Sequence, residues 1–254
     1  MIPLPPSPPA LAPHLAITVE HAGRPERMVC AAAAGGPLPA TEGWLDPREL
    51  ARIDRAVERR RREFVLGRLA AKTALAVWHD HAALGAFAIV PGAFEQPVVL
   101  GNSAADVTLA HATGAAVAVA HERGHPVGVD LETIDPQRLG AVRSEVAAAE
   151  LPPRRGAATD ETVGLFLIWS AKEALSKALR CGLTCPFALL AVADPRLDDA
   201  GVCAGTFAHF GQYQFVAWPA GTRTFALACS RNARLEPALP ALVRFTRESL
   251  AAPA

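Results

Sequence analysis

Apolar residues recur at helical spacing from residue 46 to residue 79, and this pattern predicts a helical region. Asp46 followed by Pro47 supplies a favourable N-cap and first helical position. Between residues 84 and 132 the pattern changes to short apolar runs separated by Gly, Pro and Asn, which is typical of strands. The first half of the chain therefore predicts helix followed by sheet.

The same order returns in the second half of the chain. The pattern predicts helices over residues 137–150 and 160–180, joined by the loop-like stretch LPPRRGAATD. Short strand-like runs follow, and PALPALVRFTRESLAA predicts a final helix. This repetition predicts an α+β fold, a pseudo-two-fold pair of similar α+β halves, each a small antiparallel sheet packed with helices.

Three segments are expected along the chain. They are a proline-rich extended arm at residues 1–15, an N-terminal half at residues 16–126 and a C-terminal half at residues 127–254. Because binding sites often form where two such units meet, we expect the functional site between the halves. Two fused halves already supply that cleft, which favours a monomer.

Composition and charge exclude several classes of protein. The 254-residue chain has no formal net charge at pH 7, which argues against nucleic-acid binding through bulk charge. The N-terminus lacks the basic segment and apolar run of a signal peptide, and no apolar run reaches the roughly 20 residues of a membrane span. The five cysteines follow no disulfide or zinc-site spacing, so we expect reduced thiols in a cytoplasmic protein.

Two of the chain's three lysines lie in the segment FLIWSAKEALSKAL, which begins at Phe166. Trp169, Glu173 and Lys177 follow one another at intervals of four residues, so a helix places them on one face. Glu173 and Lys177 could form an ordinary surface ion pair. However, the segment begins with apolar residues nearly all round the helix, which favours burial or a position beside a cleft.

The segment GVDLE predicts a strand with two carboxylates on one face. Side chains alternate along a strand, so Val127, Val129 and Leu131 share one face. Asp130 and Glu132 share the other face. A half-exposed strand with acidic residues facing water remains the simplest alternative. Paired carboxylates also repel each other unless a cation lies between them.

Together the two segments offer three carboxylates, those of Asp130, Glu132 and Glu173. Such a set favours a hard, oxygen-preferring cation, and Mg²⁺ commonly takes one or two carboxylates together with substrate phosphates. A neighbouring lysine suits a phosphate group as a compact positive charge. The residues therefore predict a site for Mg²⁺ and phosphate.

The two segments, in this order, resemble the paired signature of the 4′-phosphopantetheinyl transferase superfamily, G-[VI]-D-x-E and W-[ST]-x-K-E-[AS]-x-x-K. The length and the two-half layout are similar to its larger, Sfp-like class, which includes the enterobactin synthase phosphopantetheinyl transferases. The resemblance covers residues from about 59 to 190. It implies transfer of the 4′-phosphopantetheine arm of coenzyme A to a serine of an acyl or peptidyl carrier protein, with release of adenosine 3′,5′-bisphosphate.

The resemblance also implies roles for individual residues. Asp130, Glu132 and Glu173 would hold Mg²⁺ on the pyrophosphate, Lys177 would stabilise charge during transfer, and Glu150 would take the serine proton. The residues implied in coenzyme A binding are Arg62, Arg68, Lys72, His111, Lys172 and Lys177. Fatty acid, polyketide, nonribosomal peptide and siderophore systems all use the same arm, so the pathway stays open.

The chain departs from the family pattern at two places. Relatives usually carry Ser before the histidine, where this chain has Ala110, and Thr113 is a candidate replacement for its hydroxyl. Relatives often carry Gly-Lys-Pro where this chain has Glu95-Gln96-Pro97. Both changes are expected to weaken coenzyme A binding.

An acidic carrier protein would be met by basic or apolar surface beside the site. The candidate arginines after GVDLE are Arg138, Arg143, Arg154 and Arg155. Solvated loop arginines are the alternative reading of this group.

Two other functions are compatible with the sequence. One is a non-catalytic coenzyme A-binding or scaffold protein that has kept the fold, which the changes near residues 95 and 110 would favour. The other is a different Mg²⁺-dependent phosphate enzyme, such as a phosphodiesterase.

Overall fold

A computed structural model describes residues 8–101, 104–152 and 160–251, and it has the predicted α+β fold. The strands are β1 (His14–His21), β2 (Arg24–Ala34), β3 (Ala88–Pro91), β4 (Pro97–Leu100), β5 (Ala105–Ala112), β6 (Ala115–Glu122), β7 (Val127–Thr133), β8 (Val192–Leu197), β9 (Cys203–Phe207), β10 (Tyr213–Ala220), β11 (Arg223–Ser230) and β12 (Ala233–Arg234). The helices are α1 (Pro47–Leu50), α2 (Glu58–Trp78), α3 (Leu139–Glu145), α4 (Glu161–Ala178) and α5 (Leu239–Leu250).

Two open antiparallel sheets form the centre of the molecule. The first has the order β12-β1-β2-β6-β5 and the second the order β7-β11-β10-β9-β8. Alternate residues of both sheets meet in a shared apolar core, to which α5 contributes. Helix α2 packs on the outer face of the first sheet and α4 on the outer face of the second, so each sheet is covered on both faces.

The predicted helical regions are shorter in the structure than in the sequence pattern. The region 46–79 divides into α1 and α2, because Asp46 caps only a single turn and residues 51–55 form turns. The region 137–150 contains only α3, flanked by short 3₁₀ turns. Helix α4 and the final helix α5 lie where they were predicted.

The segment between the arm and the first helix had no predicted structure, yet it forms the long hairpin of β1 and β2. Strand β1 begins at His14, inside the segment predicted as an extended arm. Its other edge pairs with β12 from the C-terminal part of the chain. The C-terminal segment therefore contributes to the first sheet, and the division at residues 126 and 127 stays a prediction.

The strand β7 shows the predicted alternation. Val127, Val129 and Leu131 are buried in the core between the sheets. Gly128 and Asp130 therefore face α4 on the other side of the strand. A Cβ atom at Gly128 would lie 1.9 Å from the carbonyl oxygen of Ala174, so this glycine allows α4 to approach the strand closely.

Across the described ranges, no helix combines the length and apolar character needed to cross a membrane. The five cysteines are free thiols, as predicted.

Candidate active site

Strand β7 and helix α4 bring Asp130 and Lys177 together. The Lys177 ammonium donates a hydrogen bond to Asp130 Oδ1 at 2.7 Å. Asp130 is 3% exposed, whereas the Lys177 side chain is 28% exposed. Burial alone would lower the pKa of Lys177, but the charges of Asp130 and Glu173 raise it above its ordinary value. Lys177 is therefore a fixed positive charge with one side towards solvent.

Glu132 lies on the same face of β7 as Asp130, as its position in the strand predicted. Its carboxylate accepts hydrogen bonds from Arg138 at 2.5 Å and from the Trp169 indole at 3.3 Å. Burial and the charge of Asp130 raise the pKa of Glu132, although Arg138 opposes the shift. Glu132 is therefore oriented by two side chains that do not come from its own strand.

Glu173 completes the acidic group from the next turn of α4 before Lys177. Burial and the charge of Asp130 raise its pKa to about 7, although Lys177 opposes the shift. A cation that binds among the three carboxylates relieves the repulsion between them. The three acids are thus brought to one region, as predicted, in an arrangement that favours a positive charge.

The fit of this region to Mg²⁺ can be tested on Asp130. Its Oδ2 atom is buried and has no hydrogen-bond partner among the described residues. A buried carboxylate oxygen without a partner is costly unless a cation meets it. Oxygen donors from carboxylates are also the ligands that Mg²⁺ prefers, so the donor chemistry fits this ion. The ligand oxygens of the three acids do not all lie within 4.8 Å of one another, so the side chains would have to move to bind one ion together.

A cavity of about 500 Å³ opens beside the acidic group. Its walls come from both sheets and include Glu173 and Lys177 from α4. The basic residues that line it are Arg52, Arg60, Arg68, Lys177 and Arg180. They outnumber the acidic lining residues Glu63, Glu95 and Glu173. The cavity therefore suits an anion, and its size is typical of small-molecule sites.

His111 lines this cavity from β5. Its Nδ1 atom lies 3.9 Å from Glu63 Oε2. Burial lowers the pKa of His111, although the charge of Glu63 opposes this shift. A neutral imidazole can still donate one hydrogen bond to a phosphate oxygen.

The three predicted basic residues of α2 have different environments. Arg68 lines the cavity, and its Nε atom lies 3.0 Å from Glu49 Oε1. Lys72 is fully buried, with its ammonium 2.6 Å from Glu49 Oε2 and 2.6 Å from the Trp44 carbonyl oxygen. Arg62 is not among the cavity residues and donates to the Gly36 carbonyl at 2.7 Å. Of the three, the structure brings only Arg68 to the cavity.

Three arginines besides Arg68 line the cavity, and of these only Arg60 lies in a segment, the arginine run at residues 59–62, for which the sequence left a phosphate-facing position open. Arg60 belongs to the run of four arginines in α2, and helix periodicity could have separated it from its neighbours. Arg52 and Arg180 come from a turn and from the end of α4, far apart in the chain. No sequence signal marks them, because only the packing of the two sheets brings them together.

Lys172 and Glu150 are placed together, away from the other predicted residues. The Lys172 ammonium lies 2.7 Å from Glu150 Oε2 and donates to the Glu145 carbonyl oxygen at 2.7 Å. Glu150 also accepts hydrogen bonds from the backbone N–H groups of Ala147 and Val192. Both side chains are at most 6% exposed. This environment supports a structural role for the pair, and neither residue lines the cavity.

The two departures from the family pattern also have structural roles. Gln96 lines the cavity and accepts a hydrogen bond from the Phe94 N–H at 2.8 Å, which holds the turn between β3 and β4. Ala110 is buried in the core between the sheets. The Thr113 carbonyl accepts a hydrogen bond from Arg223, and Thr113 is not among the cavity residues.

The arginines proposed to meet a carrier protein lie partly within the described residues. Arg138 and Arg143 are exposed and paired with Glu132 and Glu161, each at 2.5 Å. Arg154 and Arg155 lie outside the described residues. The structure therefore places one of the candidates, Arg138, directly beside the acidic group.

Two protein-family comparisons match separate parts of the chain. Residues 126–230 match the sequence model of the 4′-phosphopantetheinyl transferase superfamily. Residues 47–121 match the model of the 4′-phosphopantetheinyl transferase N-terminal domain. No curated protein matches the chain significantly. The two matched regions contain β7 and α4, the helix α2 and most of the cavity residues.

Proposed function

The chain belongs to the 4′-phosphopantetheinyl transferase superfamily, and on that premise we propose a Mg²⁺-dependent reaction with coenzyme A. The enzyme transfers the 4′-phosphopantetheine arm to a serine hydroxyl of an acyl or peptidyl carrier protein. Adenosine 3′,5′-bisphosphate is released. The observation that carries the proposal is the arrangement of Asp130, Glu173 and Lys177 at the edge of a basic cavity.

Coenzyme A is a polyanion, and the cavity offers charges for its phosphates. Arg52 and Arg180 are paired with Glu95 and Asp106 at 3.0 and 2.5 Å. The Arg52–Glu95 pair is open to solvent, so a phosphate can replace its carboxylate at little cost, whereas Asp106 beside Arg180 is only 13% exposed. Arg60 and Arg68 provide two further guanidinium groups on the opposite wall, from α2. Arginine is well suited to phosphate because its planar group binds two oxygens at once.

Mg²⁺ is held by Asp130, Glu132 and Glu173 in this proposal. When bound, the ion neutralises charge on the pyrophosphate. The unpartnered Asp130 Oδ2 and the raised pKa of Glu173 both support a cation at this position. Glu173 is the one of these three acids that lines the cavity, so it lies nearest to the bound substrate.

Lys177 stabilises the charge that develops on the phosphate oxygens during transfer. The serine oxygen attacks phosphorus, a new P–O bond forms, and the P–O bond to the adenosine bisphosphate breaks. Positioning and charge neutralisation are the main requirements of such a step. Because Asp130 fixes Lys177, this positive charge is in place before the substrate reacts.

The serine proton passes to water in this scheme. Glu150 was the candidate base, but its two oxygens are engaged by Lys172 and by two backbone N–H groups. Both oxygens are therefore occupied, and Glu150 does not line the cavity. Lys172 likewise serves the fold in this scheme, and the phosphate is left to Lys177.

The enzyme is proposed to act as a cytoplasmic monomer. The free thiols support a reducing compartment. The cavity is lined by residues of one chain, from both sheets and from the helices that cover them.

Mass spectrometry of the carrier protein tests the proposal. Apo forms of an acyl carrier protein and of a peptidyl carrier protein are incubated with this protein, coenzyme A and Mg²⁺. A mass increase of one phosphopantetheine group is expected for at least one carrier. It should be absent when the carrier serine is replaced by alanine and when EDTA removes the metal. No mass increase on either carrier would contradict the proposed function.

A further inference from the structure

A second group of potential metal ligands lies at one end of the first sheet. His21 is the last residue of β1, Glu26 lies in β2, and His125 lies in the turn between β6 and β7. One potential ligand atom from each residue lies within 4.8 Å of the other two, and among the described residues this is the only such group. His21 and Glu26 belong to the same β1–β2 hairpin, whereas His125 comes from a separate part of the chain.

Two histidine nitrogens of this group approach one carboxylate oxygen, and only one of them forms a hydrogen bond with it. His21 Nδ1 forms a hydrogen bond with Glu26 Oε1 at 2.8 Å. His125 Nδ1 lies 2.8 Å from the same oxygen, but it is buried and no hydrogen bond of acceptable geometry is formed. The two ring centroids lie 4.7 Å apart, and both Nδ1 atoms approach the same Glu26 oxygen at 2.8 Å. Two imidazole nitrogens and a carboxylate oxygen that converge in this way match the ligands of a transition-metal ion.

We propose that His21, Glu26 and His125 bind one divalent transition-metal ion, for which zinc is a suitable probe. Zinc binds imidazole nitrogen and carboxylate oxygen at about 2.0–2.2 Å, and its ligand atoms lie about 3.4 Å from one another in a tetrahedral site. The observed nitrogen-to-oxygen distances of 2.8 Å therefore need only a small outward movement of the side chains.

A fourth ligand is available at the open side of the group. Glu122 Oε2 lies 3.7 Å from His125 Nδ1, and its side chain is 51% exposed. It can turn towards the ion or leave that position to water. The His21, Glu26 and His125 side chains are 17%, 11% and 37% exposed, so an ion bound there would have partly buried ligands and a route to solvent.

An ion bound to these residues would link two separate parts of the structure. It joins the hairpin of β1 and β2 to the turn that leads directly into β7, the strand of Asp130. An ion that binds the folded chain but not the unfolded one stabilises the folded state. This site is separate from the acidic group of β7 and α4, and the inference does not depend on the proposed transfer reaction.

Metal titration of the full chain tests the inference. The protein is first stripped of metal by a chelator and then titrated with Zn²⁺ in competition with a chromophoric chelator, and with Co²⁺ while visible absorption is recorded. With excess Mg²⁺ present to occupy the acidic group of β7 and α4, one equivalent of Zn²⁺ should bind to the wild type, and Co²⁺ should produce visible absorption bands. Both the His125→Gln and the Glu26→Gln variants should bind Zn²⁺ at least about 10-fold more weakly, as expected when a metal site loses one of its partners.

Two control variants exclude other histidines and thiols. His209→Gln alters an exposed histidine outside the group, and the double variant Cys181→Ser/Cys185→Ser removes the two partly exposed thiols. Both should bind Zn²⁺ like the wild type, and circular dichroism should show that all variants are folded. The inference is overturned if the wild type does not bind Zn²⁺ below about 1 mM, an affinity of only about 4 kcal/mol. It is also overturned if folded His125→Gln and Glu26→Gln bind like the wild type, or if only the cysteine variant loses binding.

Discussion

Replacing Gly128 with alanine tests whether the close approach of α4 to β7 positions the site. A Cβ atom at residue 128 would lie 1.9 Å from the Ala174 carbonyl oxygen and 2.5 Å from the Ala178 nitrogen. Carbon and oxygen atoms in contact are normally at least about 3.3 Å apart, so α4 would have to move by about 1.4 Å. Both clashing atoms belong to the backbone, so a change of side-chain rotamer cannot relieve the overlap.

The displacement should reduce both stability and activity. Overpacking of a buried contact costs about 1–3 kcal/mol of unfolding free energy. Each kcal/mol lowers Tm by about 2–4 °C in a chain of this size. The same movement separates Lys177 from Asp130, whose atoms are now 2.7 Å apart. A misplacement of about 1 Å can slow catalysis by about 100-fold, and we expect a loss of that order.

The assay is the initial rate of carrier modification, measured well below the Tm of the Gly128→Ala variant so that unfolding does not contribute. Gly140→Ala is the matched control, because it lies in α3 and a Cβ atom there meets nothing within 4 Å. That control should keep the wild-type rate and gain up to about 1 kcal/mol from helix propensity. The reasoning is refuted if Gly128→Ala has the wild-type Tm and the wild-type rate.

Three further predictions concern charged residues. Lys172→Met should lower the free energy of unfolding by about 3–5 kcal/mol in urea titrations, because it leaves Glu150 buried without its cation. A loss under about 1 kcal/mol would contradict the structural role of the Lys172–Glu150 pair. Arg60→Ala should weaken coenzyme A binding by about 10-fold or more in calorimetry, because a charged hydrogen bond is lost. Arg62 lies outside the cavity, so Arg62→Ala should bind coenzyme A normally, and equal effects of the two variants would contradict the assignment of the cavity. In metal-free protein, the pKa of Glu173 is raised from 4.5 to about 7, so its stabilising contribution is complete below about pH 4.5 and is lost as the pH rises through 7. The Tm of Glu173→Gln minus that of the wild type should therefore increase over that pH range. A difference that stays constant with pH would refute the raised pKa.

The sequence was sufficient for the centre of the site because both elements there follow simple periodicities. Alternation along β7 placed Asp130 and Glu132 on one face, and the spacing of four along α4 placed Glu173 and Lys177 on another. The apolar residues of β7 face the core between the sheets, and those of α4 pack on the outer face of the second sheet. The contact between Asp130 and Lys177 was not predicted, because neither pattern shows how β7 and α4 pack on each other.

The partners of Lys172 could not be predicted in the same way. Lys172 precedes Glu173 by one residue, so it lies about 100° away around the helix and faces the segment after α3. Its carboxylate partner Glu150 is 22 residues distant, in a short 3₁₀ turn that local sequence predicted as helix. Tertiary packing rather than periodicity decides which of two neighbouring lysines faces the cavity.

The hairpin of β1 and β2 shows another limit of the sequence pattern. Ala31, Ala32 and Ala33 are buried in β2, although alanine has no preference for strands. Their small side chains allow α2 to pack closely on one face and the second sheet to pack on the other. Pairing with β6 makes this run a central strand, and that pairing is not encoded within the run itself.

The central claim is that the acidic group of β7 and α4 supports transfer of phosphopantetheine to a carrier serine. The most direct measurement is the rate at which an apo carrier protein gains this group, by mass spectrometry, with wild type, Glu173→Gln and the exposed control Glu145→Gln. The account predicts a measurable rate for wild type and the control, and a loss of about 100-fold or more for Glu173→Gln. Equal rates for all three proteins would contradict the assignment of the site.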